Sequence, residues 1–184
     1  MIRVLGLDLS VKSTGWALWS ESLARPACGI WKLAPSIDWR ARAFVRLQRN
    51  IMDLHRVGAL THIAFEEPIS PGALHGHTNL DTIHGAIGLA SHVQSFCEAG
   101  GVRCYPVGLS TWRRHFLGKM PRGTKTADLK AMAMQRCREL GFDPEKHDAA
   151  EACGILDYQL HRLQITPPWA HTTPLRLEMM PGVR

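Results

Sequence analysis

The spacing of hydrophobic and polar residues predicts short strands at the start of the chain. Two apolar runs at 2–9 and 16–19 flank a polar segment at 10–15, a pattern typical of a β-hairpin. A third strand is predicted at 27–33. The N-terminal part of the chain therefore predicts three antiparallel strands.

Beyond these strands, helical periodicity alternates with two short, buried-type strands at 61–68 and 102–107. Apolar residues recur every three or four positions in the helical segments, for which Ser36 and Ser110 offer N-caps. Helices are predicted at 36–57, 81–99, 111–117, from 124 or 126 to 140, and from 147 to before Pro167. This order predicts an α/β fold with a five-stranded mixed sheet, three antiparallel strands and then two parallel ones, flanked by helices. We expect the first and fourth strands to be parallel neighbours.

Two of the predicted helices have unusual faces. The first carries a row of arginines that we expect to face solvent: Arg40, Arg42, Arg46 and Arg49. The helix at 81–99 contains Gly85, Ala86 and Gly88. Glycine in a helix costs about 1 kcal/mol relative to alanine. We therefore expect close packing against another backbone, either the sheet or a second copy of the helix.

Length and composition fit one domain. The chain has 184 residues, of which 45% are hydrophobic, enough to bury a core without disulfides. Residues 1–165 are predicted to form the domain and 166–184 a proline-rich tail. No apolar run reaches the roughly 18 residues of a membrane span, and the N-terminus lacks a signal-peptide pattern. Five scattered cysteines predict reduced thiols, so we expect a cytoplasmic protein that does not bind membranes.

Positive charge is concentrated in one segment. The net charge is +6, and the segment 103–146 alone has ten Lys or Arg residues against four acids. A polyanionic partner such as nucleic acid is one interpretation of this imbalance. The alternative is an ordinary solvated helix face.

Acidic residues occur at the ends of two predicted strands. Asp8 lies in an otherwise apolar run, where an unpaired carboxylate is costly. It either caps the turn through its own backbone or binds a metal close to a phosphate. Glu66 and Glu67 end the strand at 61–68, and because neighbouring strand residues face opposite sides, only one of them can join a site with Asp8.

A second acidic pair lies near the start of the last helix. Asp148 and Glu151 are three residues apart and share one face, whereas Asp157 is turned about 180° away and is expected at the surface. If the strand ends meet this helix, four carboxylates converge. Such a cluster is held together by divalent cations, and two Mg²⁺ roughly 3.5–4 Å apart support attack of water on a phosphodiester.

Three motifs resemble the RuvC family of Holliday junction resolvases. They are Gly-Leu-Asp-Leu-Ser-x-x-x-Thr-Gly-Trp-Ala at 6–17, Ile-Ala-Phe-Glu-Glu-Pro at 63–68 and His-Asp-Ala-Ala-Glu-Ala at 147–152. The resemblance spans about residues 2–162 and implies an RNase H-like fold. It also implies metal-dependent paired nicking of four-way DNA junctions by a homodimer formed through the helix at 81–99. Two Mg²⁺ or Mn²⁺ ions per site and no nucleotide cofactor are implied as well.

The resemblance assigns roles residue by residue. Four residues match the family's acidic catalytic and metal-binding positions: Asp8, Glu66, Asp148 and Glu151. Arg113 and Lys125 match its basic DNA-contacting positions, and Arg114, Lys119 and Arg122 from the same basic segment complete the predicted DNA-binding set. The chain departs from the family at Glu151, where Asp is usual, and at Ile69, where some members have an aromatic wedge. The patterns at 66–68 and 110–114 are closer to phage or prophage members.

Other interpretations stay open at this stage. A zinc site at His75 and His77 lacks a third ligand at the usual spacing, so we expect a mobile, substrate-contacting loop at 69–80. His147 flanks the acidic helix and is the best placed histidine for proton transfer.

Three alternative functions compete with junction resolution. A phosphotransferase of the actin or sugar-kinase type shares the Asp-x-Ser turn but requires two such domains. A related nuclease acting on RNA–DNA hybrids or flaps would use the same acids. A DNA-binding module without catalysis would be expected to lose one of them, and all four are present.

Overall fold

Five strands form one mixed sheet within residues 1–68 and 80–172, which are the residues that this computed structural model describes. The strands are β1 (Arg3–Asp8), β2 (Ser13–Ser20), β3 (Ala27–Lys32), β4 (His62–Glu66) and β5 (Arg103–Val107). Their order across the sheet is β3-β2-β1-β4-β5. The predicted fold class is confirmed.

The pairing of β1 brings its two neighbours to one edge of the sheet. β1 pairs with β2 antiparallel, with Asp8 opposite Gly15. It pairs with β4 parallel, with Leu7 opposite Phe65, so the predicted neighbours are confirmed. Because β1 and β4 run in the same direction, Asp8 and Glu66 end their strands at the same edge.

Five helices cover the two faces of the sheet within the described ranges. They are α1 (Arg40–Val57), α2 (Leu80–Gly100), α3 (Leu109–Leu117), α4 (Thr126–Glu139) and α5 (His147–Arg162). A 3-10 turn at Ile37–Trp39 precedes α1, and another follows at Pro168–Thr172. Alternate strand residues serve two cores: Leu5 and Leu7 pack with α1 and α2, whereas Val4 and Ala64 pack with α3, α4 and α5.

α5 is the helix closest to the sheet, and two glycines make this approach possible. A Cβ at Gly15 would lie 2.0 Å from the backbone oxygen of Asp148, and one at Gly6 would lie 2.7 Å from that of Ala152. Because any side chain at these positions would collide with the helix backbone, the glycines set the distance between the first hairpin and the start of α5. They thereby place Asp148 beside β2.

Several element boundaries differ from the prediction. β2 begins at Ser13 rather than at residue 16, because Thr14 closes the turn through side-chain hydrogen bonds with the backbone of Ser10. α3 begins at Leu109 with Gly108 as its N-cap, so the predicted cap at Ser110 is wrong. Ser36 precedes the 3-10 turn and makes no side-chain cap hydrogen bond.

The small residues of α2 pack on side chains of this same chain. A Cβ at Gly85 would lie 2.7 Å from Ile37 and from Val11, and one at Gly88 would lie 2.3 Å from the Phe44 ring. The expectation of contact with another backbone is therefore wrong for these positions, since bulky side chains of neighbouring elements fill the space.

Asp157 is not a plain surface residue, contrary to the prediction. Its side chain is 19% exposed, and it accepts a hydrogen bond from Trp169 Nε1 at 2.7 Å. Trp169 itself is buried against the rings of Trp19 and Phe142. Asp157 does lie on the side of α5 turned away from Asp148, but Trp169 folds back after the helix and covers it.

The described residues test only some of the other expectations. All five cysteines are free thiols, as predicted. Within the described residues, no helix has both the length and the apolar character needed to cross a bilayer. The predicted loop with His75 and His77, and the part of the tail beyond residue 172, lie outside the described residues. The domain boundary at 165 stays a prediction.

Candidate active site

Two carboxylates reach the site from the ends of parallel strands. Asp8 is the last residue of β1 and Glu66 the last residue of β4. Glu67 is exposed, and its backbone N–H donates to Val107 O at 2.9 Å. Because successive strand residues face opposite sides, Glu66 turns toward the interior and Glu67 toward solvent.

The N-terminal part of α5 supplies the other two carboxylates, Asp148 in the first turn and Glu151 one turn later. Asp148 and Glu151 lie on the side of the helix that faces the β1–β2 hairpin, and Ser13 Oγ donates to Asp148 Oδ2 at 3.0 Å. Glu151 is buried. Carboxylates in the first turn are favoured by the positive end of the helix dipole.

Asp8 experiences the field of the other three acids. Burial raises the pKa of Asp8 well above its ordinary value, and the charges of Glu151, Glu66 and Asp148 raise it further, while Lys130 lowers it. Among the described residues, no group donates a hydrogen bond to the Asp8 carboxylate. The structure therefore brings all four predicted acids together and leaves Asp8 without a partner from the described protein groups.

Glu66 is held from the opposite side by α3. Burial raises its pKa, and a hydrogen bond from Trp112 Nε1 at 3.0 Å partly offsets this. Trp112 is fully buried, and a Cβ at Gly154 would lie 2.8 Å from its ring. Gly154 thus allows α5 to pack against the indole, which fixes the donor on Glu66.

Arg113 belongs to the acidic centre rather than to open solvent. Its Nη2 donates to Glu151 Oε1 at 2.7 Å, and the two side chains are only 15% and 7% exposed. Its Nε is buried with no hydrogen-bond partner among the described residues. The predicted DNA contact at Arg113 is untested, and in this structure the guanidinium is the ion-pair partner of a site carboxylate.

The other predicted DNA-binding residues are placed differently. All of them are exposed, on α3 or on the segment that joins α3 to α4: Arg114, Lys119, Arg122 and Lys125. Lys125 is also the N-cap residue of α4. These positively charged groups are available to a polyanion, and their role stays a prediction.

His147 extends the carboxylate cluster toward the surface. Its Nδ1 contacts Asp148 Oδ1, and its side chain is 45% exposed. One potential ligand atom from each of His147, Asp148 and Glu151 lies within 4.8 Å of the others.

The donor set fits a hard divalent cation. Four carboxylates face Arg113 and Lys130 among the described residues, so negative charge exceeds positive charge. Oxygen ligands on rigid elements, with Asp8 lacking a hydrogen-bond donor, are what Mg²⁺ or Mn²⁺ requires. The residues that could hold the ion are those four acids and His147; among them, Asp148, Glu151 and His147 have ligand atoms within 4.8 Å of one another.

The sequence pattern did not indicate three groups that shape this centre: Ser13, Trp112 and Lys130. Trp112 directly precedes Arg113, and an aromatic residue within a basic helix was the one sequence feature that could have indicated its role. Ser13 was assigned to a turn. Lys130 had no signal beyond its membership of the basic segment.

The fold, unlike the sequence, has clear relatives. No protein-family model matches the sequence, and no curated protein matches it. Thermus thermophilus RuvC in complex with a Holliday junction substrate has a TM-score of 0.61 at 14% identity, covering 89% of this chain and 96% of that one. The fowlpox virus Holliday junction resolvase has a TM-score of 0.52 at 12% identity, covering 88% and 99%. The yeast mitochondrial Holliday junction resolvase has a TM-score of 0.52 at 13% identity, covering 93% and 81%. This chain therefore has the RNase H-like fold of the RuvC-type Holliday junction resolvases.

Proposed function

We propose that this protein is a metal-dependent endonuclease that resolves four-way DNA junctions by paired nicking. The observation that carries the proposal is the convergence of Asp8, Glu66, Asp148 and Glu151 at one sheet edge, beside exposed basic residues. An acidic centre next to a basic surface suits a phosphodiester substrate, since the surface binds the polyanion and cations neutralise the centre. The likeness in fold to the resolvases named above supports the same function.

The side chains divide the chemical work. Asp8, Glu66, Asp148 and Glu151 are the proposed metal ligands. Bound divalent ions would activate a water molecule and stabilise charge on the phosphate. Ser13 and Trp112 orient two of the carboxylates, and Arg113 restrains Glu151.

DNA recognition is assigned to the basic segment. Arg114, Lys119, Arg122 and Lys125 are exposed close to the helix that carries Trp112 and Arg113. We expect these residues to contact phosphates, so junction binding weakens steeply with salt. Substituting Lys125 by Ala lowers the slope of log K against log salt by about one in this scheme, as expected for the loss of one phosphate contact.

Paired nicking requires two sites, which we assign to a homodimer formed through α2. The glycines of this helix are covered within the chain, so the proposed interface uses its exposed side, including Leu80 and Ile87. The exposed fraction is 61% for Leu80 and 38% for Ile87. Sedimentation analysis is expected to give a dimer for the wild type and a monomer for Ile87→Arg. A wild-type monomer would contradict this assignment.

The decisive experiment compares substrates and metals. Nicking is measured on a synthetic four-way junction, a linear duplex of the same sequence and an RNA–DNA hybrid, with Mg²⁺, with Mn²⁺ and with a chelator. We expect symmetric paired nicks on the junction alone, dependent on the metal.

Each contrary outcome removes a defined part of the proposal. Equal cleavage of the hybrid or of linear duplex would replace junction resolution by a related nuclease activity. Binding of the junction without cleavage under any of the metal conditions would indicate a DNA-binding module without catalytic activity. Cleavage that continues in the presence of the chelator would contradict the proposed dependence on metal ions.

A further inference from the structure

A second basic surface lies on α1, far along the chain from the segment assigned to DNA above. Arg42, Arg46 and Arg49 are three or four residues apart and therefore follow one side of α1, and Trp39 directly precedes the helix as its N-cap residue. All four are exposed, whereas Ala43, Leu47 and Ile51, on a different face of α1, are buried. These four residues are called the tryptophan–arginine ridge.

Trp39 is the unusual member of this ridge. Its side chain is 47% exposed, although tryptophan is among the residues that bury the most surface. The guanidinium carbon of Arg42 lies 4.3 Å from its ring centroid. An exposed indole next to arginine is the kind of surface on which unpaired nucleobases stack.

The ridge is held in place at its start. Ile37, in the same 3-10 turn as Trp39, packs against Gly85 of α2, which also contacts Val11. Arg40 forms an ion pair with Asp81 at 3.4 Å. These contacts tie the start of α1 to α2 and to the turn that follows Asp8, so Trp39 does not lie on a free end.

The topology places Trp39 at the same edge of the sheet as the acidic centre. β3 runs parallel to β1 and ends at Lys32, opposite Ser13, at the edge where Asp8 ends β1. The chain then enters α1, which leads back to the start of β4 at the other edge. With a rise of about 1.5 Å per residue, Arg49 lies roughly 15 Å along the helix from Trp39.

The charge of the ridge is not neutralised by its own helix. α1 contains five arginines and one acid, Asp53, which pairs with Arg56 at 3.6 Å. Arg46 donates to Leu33 O at 3.0 Å, a bond that leaves its charge unpaired. Arg42, Arg46 and Arg49 therefore offer positive charge to the phosphates of a strand.

We propose that the tryptophan–arginine ridge binds an unpaired DNA strand, with a base stacked on Trp39 and phosphates on the three arginines. The strand would pass from the acidic centre around the edge of the sheet and then follow α1, which packs on the other face. This inference deepens the proposed function, because an unpaired strand arises where a junction opens. A duplex offers phosphates to the arginines but no free base face to the indole, so the two partners can be distinguished.

The test measures binding in Asp8→Asn protein with chelator, so that cleavage does not enter. The probes are a labelled oligothymidylate of about 15 nucleotides and a blunt duplex of the same length. Trp39→Ala is expected to weaken oligothymidylate binding about tenfold and duplex binding less than twofold. The triple change Arg42→Ala, Arg46→Ala and Arg49→Ala is expected to lower the salt slope for the oligothymidylate by about two. Arg56→Ala, which removes one charge from the same helix, serves as the matched control.

The outcomes separate this inference from the proposed nuclease. If the affinity for oligothymidylate is unchanged in both the Trp39 variant and the triple arginine variant, the proposal that the ridge binds DNA is wrong. Equal losses on duplex and oligothymidylate overturn the assignment to an unpaired strand. Binding through the ridge, together with no nicking of any substrate by wild-type protein with Mg²⁺ or Mn²⁺, overturns the nuclease alone. Circular dichroism of each variant verifies that the helix is intact.

Discussion

The two ends of α5 hold carboxylates in opposite ways. Toward the C-terminal end, each oxygen of Asp157 has its own partner, Trp169 Nε1 at 2.7 Å and His115 Nε2 at 3.1 Å. Toward the N-terminal end, Asp148 and Glu151 join Asp8 and Glu66, and burial together with mutual repulsion raises the pKa of Asp8. Toward the C-terminal end, the hydrogen bond from Trp169 to Asp157 holds the residues after the helix against it. The N-terminal end retains an excess of negative charge, which is what a cation-binding centre needs.

A tryptophan indole donates to a carboxylate near each end of α5. Trp112 donates to Glu66 and Trp169 donates to Asp157, so the same chemical contact occurs at both ends. It satisfies the carboxylate at Asp157. At Glu66 it only orients one member of a repelling group.

The largest expected difference concerns nicking. Asp8→Asn is expected to reduce nicking of a four-way junction by about 10³-fold or more, because metal-ion stabilisation of the transition state is worth several kcal/mol. Asp157→Asn removes an acid of similar burial from the other end and is expected to keep the rate within about twofold. Single-turnover nicking measures both. Comparable losses in the two variants would mean that the acidic centre has no special role.

The second expected difference distinguishes a tryptophan that orients a carboxylate of the site from a tryptophan that only stabilises the fold. Trp112→Phe leaves a buried oxygen of Glu66 without its donor, and a hydrogen bond to a charged group is worth roughly 1.5–3 kcal/mol. We expect nicking to fall about tenfold and Mn²⁺ to bind more weakly by calorimetry. Trp169→Phe removes the matching donor and is expected to lower the melting temperature without changing the rate per folded molecule. Equal metal affinity in wild type and Trp112→Phe would argue that Trp112 only fills space.

The smallest expected difference is in stability. Because the pKa of Asp8 is raised in the folded state, this residue binds more protons in the folded protein than in the unfolded chain above about pH 4, where an unfolded aspartate ionises. The contribution of Asp8 to the free energy of unfolding therefore decreases as pH rises through this window. Without divalent ions, Asp8→Asn is expected to melt a few degrees higher than wild type at pH 7, with the gap closing below pH 4. Mg²⁺ is expected to raise the melting temperature of the wild type more than that of the variant. A lower melting temperature for Asp8→Asn would show that the charged carboxylate is stabilised.

Much of the fold could be predicted because its signals are local. Alternation and helical periodicity indicate the five strands and five helices, and the run from β1 to β3 is short enough for neighbouring strands to pair. Boundaries were less accurate where side chains close turns, as Thr14 does with Ser10. The N-cap of α3 was misplaced because Gly108 and Ser110 both suit a helix start.

The site could be predicted only in part, because its carboxylates and its supporting groups carry different signals. An acid at the end of an apolar strand is conspicuous in a sequence. A serine in a polar turn, a tryptophan in a basic helix and a lysine among other lysines are not. Arg113 was identified as basic, but its ion pair with Glu151 depends on how α3 packs against α5.

The order of the amino acids specifies the chemistry of this protein: which side chains are acidic, which are basic, and which strands and helices they lie on. Tertiary structure alone decided which of these charges meet, because the approach of α5 to the sheet at Gly6 and Gly15 is a contact between segments more than a hundred residues apart. It also decided that Asp157 is paired, whereas Asp8 has no hydrogen-bond donor among the residues that the structure describes. Periodicity reports which side of an element is buried, but the partner of a buried charge depends on the elements that pack against it.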